Sequence, residues 1–222
     1  MHDGVRYDAP MRPEEFVARL GRERATAILR TSIADAAAPA MEAAIRGGFR
    51  IVEFTLSVPA ALDRIAEFSR RDDLVVGAGT VLTIEEARSA VRAGASFLVS
   101  PVVDEEVIDE AQRLGVCVLP GCHTPTELLR AHRAGALVQK LFPAPASGPA
   151  FVRACLGPLP FLRIVPTSGV DAENARSWLD AGCFAVGFVA SLFDSQLLAA
   201  GRFDLIEERA RGCLGALRMG DR

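Results

Sequence analysis

The chain has a single lysine. Of its 25 basic residues 24 are arginine and only Lys140 is lysine, while tryptophan and tyrosine also occur once each. Positive charge is in no excess either: 25 basic residues face 28 acidic ones, a net of −3. Such a chain has no field to hold a polyanion by counterion release, so nucleic acid is not an expected partner. No apolar run reaches the roughly 18 residues of a membrane span, and the opening MHDGVRYDAPMRPEEF is polar and mixed in charge. Neither a span nor a secretory signal is expected, and the expected location is the cytoplasm. The five cysteines, at 117, 122, 155, 183 and 213, are odd in number, lack CxxC spacing and sit among apolar residues. That pattern reads as buried thiols, with no disulfide frame and no metal site.

The chain does have apolar mass: 50% of its 222 residues are hydrophobic and 24% charged, enough to bury one large core. Eight short apolar runs recur, ATAILRTS (25–32), RIVEFTLS (50–57), LVVGAGTV (74–81), SFLVSP (96–101), VCVLPGC (116–122), LVQKLFPA (137–144), LRIVPTSG (162–169) and FAVGFVAS (184–191). Most lack polar alternation and suit strands covered on both faces. Between them lie segments such as IEEARSAVRAG and DEEVIDEAQRLG, with helical apolar spacing, acids in the first turn and glycine at the end. Gly48, Gly94, Gly115, Gly135 and Gly182 are the expected left-handed stops. Eight strand–helix units fit an α/β fold of the (β/α)₈ TIM-barrel type better than an open doubly wound sheet. The expected organisation is an N-terminal extension and extra helix over 1–24, then a single barrel domain over 25–222. PEEFVARLGRER would plug the lower end of the barrel, and FDLIEERARGCLGALR would close the ring.

In such a barrel chemistry sits where the strands end. That rule selects Arg30, Glu53, Thr55, Thr80, Ser100, Cys122, His123, Lys140, Thr167 and Ser168. Lys140 lies among Val138, Leu141, Phe142 and Pro143, where burial would disfavour the ammonium. A neutral amine can attack a ketone or aldehyde to form a Schiff base, which a guanidinium cannot do. The plainer alternative is a strand-end lysine paired with a carboxylate or phosphate. Glu53, in IVEFTLS, is a carboxylate among apolar residues, suited to moving protons across the barrel mouth from Lys140. Its alternative is a structural ion pair with Arg30. The planar fork of Arg30 suits a substrate carboxylate. In GAGT the glycines make room inside the barrel and leave Thr80 as a hydroxyl donor at the rim. His123 reads as a solvated loop histidine, and His132 falls on a helix face without a role.

The strings VEFTLS, GAGTVLT, VSP, LPGCHTPTE and QKLFPA, in this order and at these separations, resemble the bacterial 2-keto-3-deoxy-6-phosphogluconate / 4-hydroxy-2-oxoglutarate aldolase family. The likeness runs from about residue 25 to 193. AILR, PGC and LFPAPASGP are similar to the branch acting on the phosphogalactonate epimer. The resemblance implies a homotrimeric class I aldolase that uses neither metal nor cofactor and cleaves a 2-keto-3-deoxy sugar acid or related 4-hydroxy-2-oxo acid to pyruvate and an aldehyde. It makes Lys140 the Schiff-base residue and Glu53 the proton shuttle. It places Arg30 and Thr80 on the pyruvate carboxylate, Pro101 and Phe142 along the pocket, and Ser168 and Gly169 at a phosphate cup.

The pattern is broken in three places. Ser57 stands where many members have an arginine, Ser168 replaces the first of two glycines, and Val189 and Ala190 replace a Gly-Ser pair unless Ser191 is the equivalent. A shorter or unphosphorylated keto-acid is therefore a candidate substrate. The rival from another class is a catalytically silent barrel that binds a small anion or acts as a scaffold. A phosphate-barrel isomerase or decarboxylase is a further rival, and it would need the intact glycine turn that this chain lacks.

Overall fold

The computed structural model describes residues 11–218, so the part of the expected extension at 1–10 lies outside the described residues. In the first half α1 (Pro13–Glu23), β1 (Ala25–Leu29), α2 (Ala34–Arg46), β2 (Ile51–Thr55), α3 (Ala61–Phe68), β3 (Val75–Gly79), α4 (Ile84–Arg92), β4 (Phe97–Val99) and α5 (Glu105–Arg113) follow one another. The second half runs through β5 (Cys117–Leu119), β6 (Gly121–Cys122), α6 (Pro125–Arg133), β7 (Gln139–Leu141), α7 (Pro149–Leu156), β8 (Ile164–Pro166), α8 (Ala175–Asp180) and β9 (Val186–Phe188). Two helices, α9 (Ser195–Ala199) and α10 (Phe203–Arg218), complete it.

Local sequence sets these boundaries. Thr83 caps α4 by accepting from the Glu86 amide, and Asp104 caps α5 by accepting from those of Glu106 and Val107. Thr124 and Glu127 form a reciprocal box at the start of α6. The five glycines read as helix stops all take positive φ, from 72° at Gly115 to 118° at Gly48, which a side chain would oppose.

Every ladder is parallel. Six strands run in the order β5-β4-β3-β2-β1-β9 and three in the order β6-β7-β8, giving an α/β fold with a curled parallel sheet. Each expected apolar run contains a strand, but VCVLPGC holds two, because Pro120 has no N–H to continue the ladder. The Pro120 carbonyl still accepts from the Lys140 amide at 3.0 Å. At the other edge an isolated parallel bridge joins Thr167 to Gly187.

Two apolar clusters separate by strand alternation. Val52, Phe54, Val76, Ala78, Leu98 and Leu141 face outward into the layer shared with the helices. Ile51, Val75, Phe97, Cys117, Val138, Val165 and Ala185 face inward. Phe16 and Leu20 of α1 join that inner cluster, and the Phe16 and Phe97 rings stack at 4.6 Å. The N-terminal helix thus fills the inside of the sheet at the end where strands begin, as its sequence suggested. A Cβ at Gly77 would lie 2.3 Å from the Phe97 ring, so this glycine makes room for the stack. On the outside α10 is tied to α2 by the Arg46–Glu207 pair at 2.7 Å and to α8 by Arg176 donating to the Leu217 carbonyl.

Because Phe16 is fully buried, Phe16→Ala should cost about 3–5 kcal/mol by urea denaturation. A loss below about 1 kcal/mol would show that α1 is not part of the core.

Candidate active site

Above the apolar inner layer, the same alternation turns the chemistry inward. Ile51 is followed two residues on by Glu53, Val138 by Lys140, and Val165 by Thr167. In register, Glu53 pairs with Ile28 and Gly77, and Lys140 with Gly121 and Val165. The two strands belong to different sheets, yet their charges act on one another across the interior.

Both groups are buried, Glu53 at 2% and Lys140 at 8% exposure. Burial lowers the Lys140 ammonium pKa from its ordinary 10.5; Glu53 opposes this, and Arg30 adds to it. Burial likewise raises the Glu53 carboxyl from its ordinary 4.5, against the pull of Lys140 and Arg30. Glu53 Oε1 has no hydrogen-bond partner, which leaves a buried acceptor facing the interior. The Lys140 Nζ lies 4.8 Å from the centroid of the Phe142 ring, a contact that favours its charged form by about 0.5–2 kcal/mol. Two glycines keep this interior open. A Cβ at Gly79 would sit 1.9 Å from Glu53 Oε1, and one at Gly187 would sit 2.6 Å from Thr167 Cγ2.

At the rim, an Arg30 Nη donates to Thr80 Oγ1 at 2.9 Å, and no salt bridge joins Arg30 to Glu53. The structural ion pair weighed from sequence does not form. Thr80 and Ser168 both hold φ near 61°, a left-handed conformation that costs about 1–3 kcal/mol in a non-glycine residue. Both stand at strand ends on the same rim, where such strain concentrates. Pro101 and Phe142 are half-buried at the ends of β4 and β7, and Ser168 and Gly169 are exposed beyond β8. Thr167 is buried with Oγ1 unpartnered. Thr55 shares a hydrogen bond of 2.9 Å with Ser57, and Ser100 accepts from the Val102 amide.

The two described histidines, His123 and His132, make no contact with the pair. His123 is exposed, with Nδ1 3.0 Å from the Pro143 carbonyl, and His132 tilts against Phe161 at 4.7 Å. All five cysteines are free and buried, as read from sequence. Burial pushes the Cys122 thiol up to about 12, so it is no nucleophile at neutral pH.

Sequence reasoning missed two features. One is the seat that Gly79 provides for the Glu53 carboxylate; its only signal was the glycine pair in GAGT. The other is a cavity of about 470 Å³ that opens on Arg30 between the loops after β1 and β9. A second cavity, of about 550 Å³, lies against α3 and α4 and contains none of the candidates.

The geometry can be set beside known proteins. Residues 17–209 match the family description KDPG and KHG aldolase. The chain is 37% identical over 175 residues to the 2-dehydro-3-deoxy-6-phosphogalactonate aldolase of Escherichia coli K12, covering 75% of this chain and 83% of that protein. Among solved structures, it is similar to the KDPG aldolase of Legionella pneumophila with pyruvate captured at low pH as a covalent carbinolamine intermediate. That match has a TM-score of 0.81 and 26% identity, covering 89% of this chain and 97% of the other. It is also similar to a chain of a cube-shaped, highly porous protein cage designed by fusing symmetric oligomeric domains. Here the TM-score is 0.78 with 33% identity, covering 88% of this chain and 72% of the other.

In Gly79→Ala the new methyl meets the end of a flexible side chain, so the fold should survive while the carboxylate is displaced. Its thermal midpoint should stay near that of the parent while aldolase turnover falls about 100-fold. Parental turnover would show that the seat is not needed.

Proposed function

The chain belongs to the KDPG and KHG aldolase family, and on that premise we propose that Lys140 is its Schiff-base nucleophile in cleaving a 2-keto-3-deoxy sugar acid, or a related 4-hydroxy-2-oxo acid, to pyruvate and an aldehyde. The observation that carries this reading is the burial of the only lysine opposite a buried carboxylate.

The proposed steps use groups already described. The neutral amine attacks C2 of the keto-acid, forming the N–C bond, and the resulting carbinolamine loses water to give an iminium. Glu53, whose carboxyl is raised above its ordinary 4.5 by burial, delivers and removes the protons of these steps through water. It then accepts the proton of the C4 hydroxyl as the C3–C4 bond breaks. The bonding pair flows into the iminium, leaving an enamine and releasing the aldehyde. Protonation at C3 restores the iminium, and water hydrolyses it to free pyruvate and the amine. Arg30, held by Thr80, is proposed to bind the substrate carboxylate, with Pro101 and Phe142 along the pocket and Ser168 and Gly169 at the far end.

The proposed framework is a single eight-strand barrel domain over 25–222, preceded by an N-terminal extension and helix over 1–24, of which α1 is the plug. The Thr167–Gly187 bridge and the bond from the Lys140 amide to Pro120 support closure at both seams. A homotrimer is the proposed assembly, in keeping with the symmetric oligomeric domains of the cage it resembles. Among the described residues no helix is long and apolar enough to cross a membrane.

Borohydride reduction with pyruvate should leave one covalent adduct, mapped to Lys140 by peptide mass. Lys140→Arg should abolish it, and sedimentation of the same preparation should give the mass of three chains. Glu53→Gln should lower kcat by about 10²–10⁴ with folding intact. Absence of an adduct at Lys140, under conditions that label a known aldolase of this class, would remove the mechanism.

A further inference from the structure

His123 has no part in the steps above, yet its side chain joins two elements of the site. It follows β6 directly. The β6–β7 ladder sets Gly121 beside Lys140 and Cys122 beside Leu141, and its last bond runs from the Phe142 amide to the Cys122 carbonyl at 2.9 Å. One step further stand His123 on one strand and Pro143 on the other. Proline has no N–H, so the backbone ladder ends there. In its place the His123 Nδ1 lies 3.0 Å from the Pro143 carbonyl. A carbonyl only accepts, so Nδ1 carries the proton and the imidazole donates.

Glu127 fixes the backbone from which this imidazole reaches. The amides of His123 and Thr124 both donate to Glu127 Oε2 at 2.8 Å, and Thr124 Oγ1 accepts from the Glu127 amide in return. These bonds hold the Glu127 carboxyl below its ordinary 4.5, with the His123 amide the largest cause. The imidazole therefore leaves from the fixed first turn of α6, and little further ordering is needed to reach the carbonyl.

The turn after β7 is tied at few points. Among the described residues the Pro143 carbonyl has His123 as its one donor, and the next residue, Ala144, donates to the Ser168 carbonyl at 3.2 Å. A Cβ on Gly169 would lie 3.5 Å from the Ala144 Cβ, so this turn backs both Ser168 and Gly169. Those are the residues at which the proposed reaction puts the far end of the substrate. Phe142, by contrast, is held by its own ladder bond to Cys122. Loss of the imidazole donor loosens the wall behind Ser168 and Gly169 while Phe142 and Lys140 keep their places.

We propose that His123 is a positioning residue for the far half of the substrate: by holding the Pro143 carbonyl it fixes the turn that backs Ser168 and Gly169, and so sets the affinity for the carbons beyond the pyruvyl unit. This inference rests on the aldolase reading, and the test separates the two.

Cleavage kinetics are measured on a panel of six-carbon 2-keto-3-deoxy acids, both C4 epimers with and without the 6-phosphate, in the parent, His123→Phe and His123→Asn. Phenylalanine keeps the ring and loses the donor; asparagine loses the ring and keeps an N–H at the reach of Nδ1. Pro143 is exposed, so water replaces a lost donor and the effect is moderate. His123→Phe should raise KM for the best-cleaved acid about fivefold with kcat within about twofold, and His123→Asn should stay within about twofold of the parent in both. Half-saturating pyruvate in borohydride trapping at Lys140 should move by less than about twofold in either variant. His123→Ala repeats the donor loss if the phenylalanine variant does not fold. An unchanged KM without the donor, an asparagine variant no better than phenylalanine or alanine, or a pyruvate half-saturation that rises in step with KM would each overturn the proposal. So would a parent that traps pyruvate and cleaves none of the panel. If the parent traps no pyruvate, the aldolase reading itself falls and takes the role of His123 with it.

Discussion

An amine and a carboxylate held out of water on facing strands are the constraint on which the rest of the structure depends. Neither is fully compensated: Glu53 keeps an unpartnered oxygen, and burial outweighs the attraction of each group for the other in both pKa directions. Each unit of such a shift corresponds to about 1.4 kcal/mol between protonation states. The signs are opposite. For Glu53 the penalty is absent below 4.5 and grows as pH rises through its folded value; for Lys140 it is absent above 10.5 and grows as pH falls through its folded value. The fold therefore gives up stability near neutrality to hold both groups out of water, an exchange that fits the roles proposed for them.

The surrounding architecture serves that pair. Below it, α1 inserts Phe16 and Leu20 and fills the interior with apolar side chains. Around it, Gly79 and Gly187 leave the volume that the carboxylate and Thr167 occupy. Above it, Arg30 and Thr80 form a polar rim that opens to a cavity. Apolar plug, reactive middle and polar mouth follow from one alternation, in which residues two apart share a face and successive inward positions climb the sheet.

Much of this was legible in the sequence for physical reasons. A lone lysine among 24 arginines marks a place where a titratable amine is wanted and a guanidinium would not serve. A glutamate inside IVEFT can be buried only at a cost, which points to a task. The helix-ending glycines announce the repeat because their φ values are closed to other residues. What the sequence could not convey depends on closure in space. Pro120 splits one strand into two only where a neighbour calls for an N–H. Arg30 chooses Thr80, fifty positions away, over Glu53. The cavity joins loops from the first and last strands, which are neighbours only because β9 pairs with β1.

The proposed mechanism requires Lys140 to spend part of its time uncharged in the folded protein, and as the sole lysine it can be followed directly. With ¹³C-labelled lysine the protein gives one side-chain system, and the Cε shift can be followed against pH. The midpoint should lie below 10.5 in the folded chain and further down in Glu53→Gln, where the group that favours the ammonium is gone. A midpoint at or above 10.5, unmoved by that substitution, would contradict it.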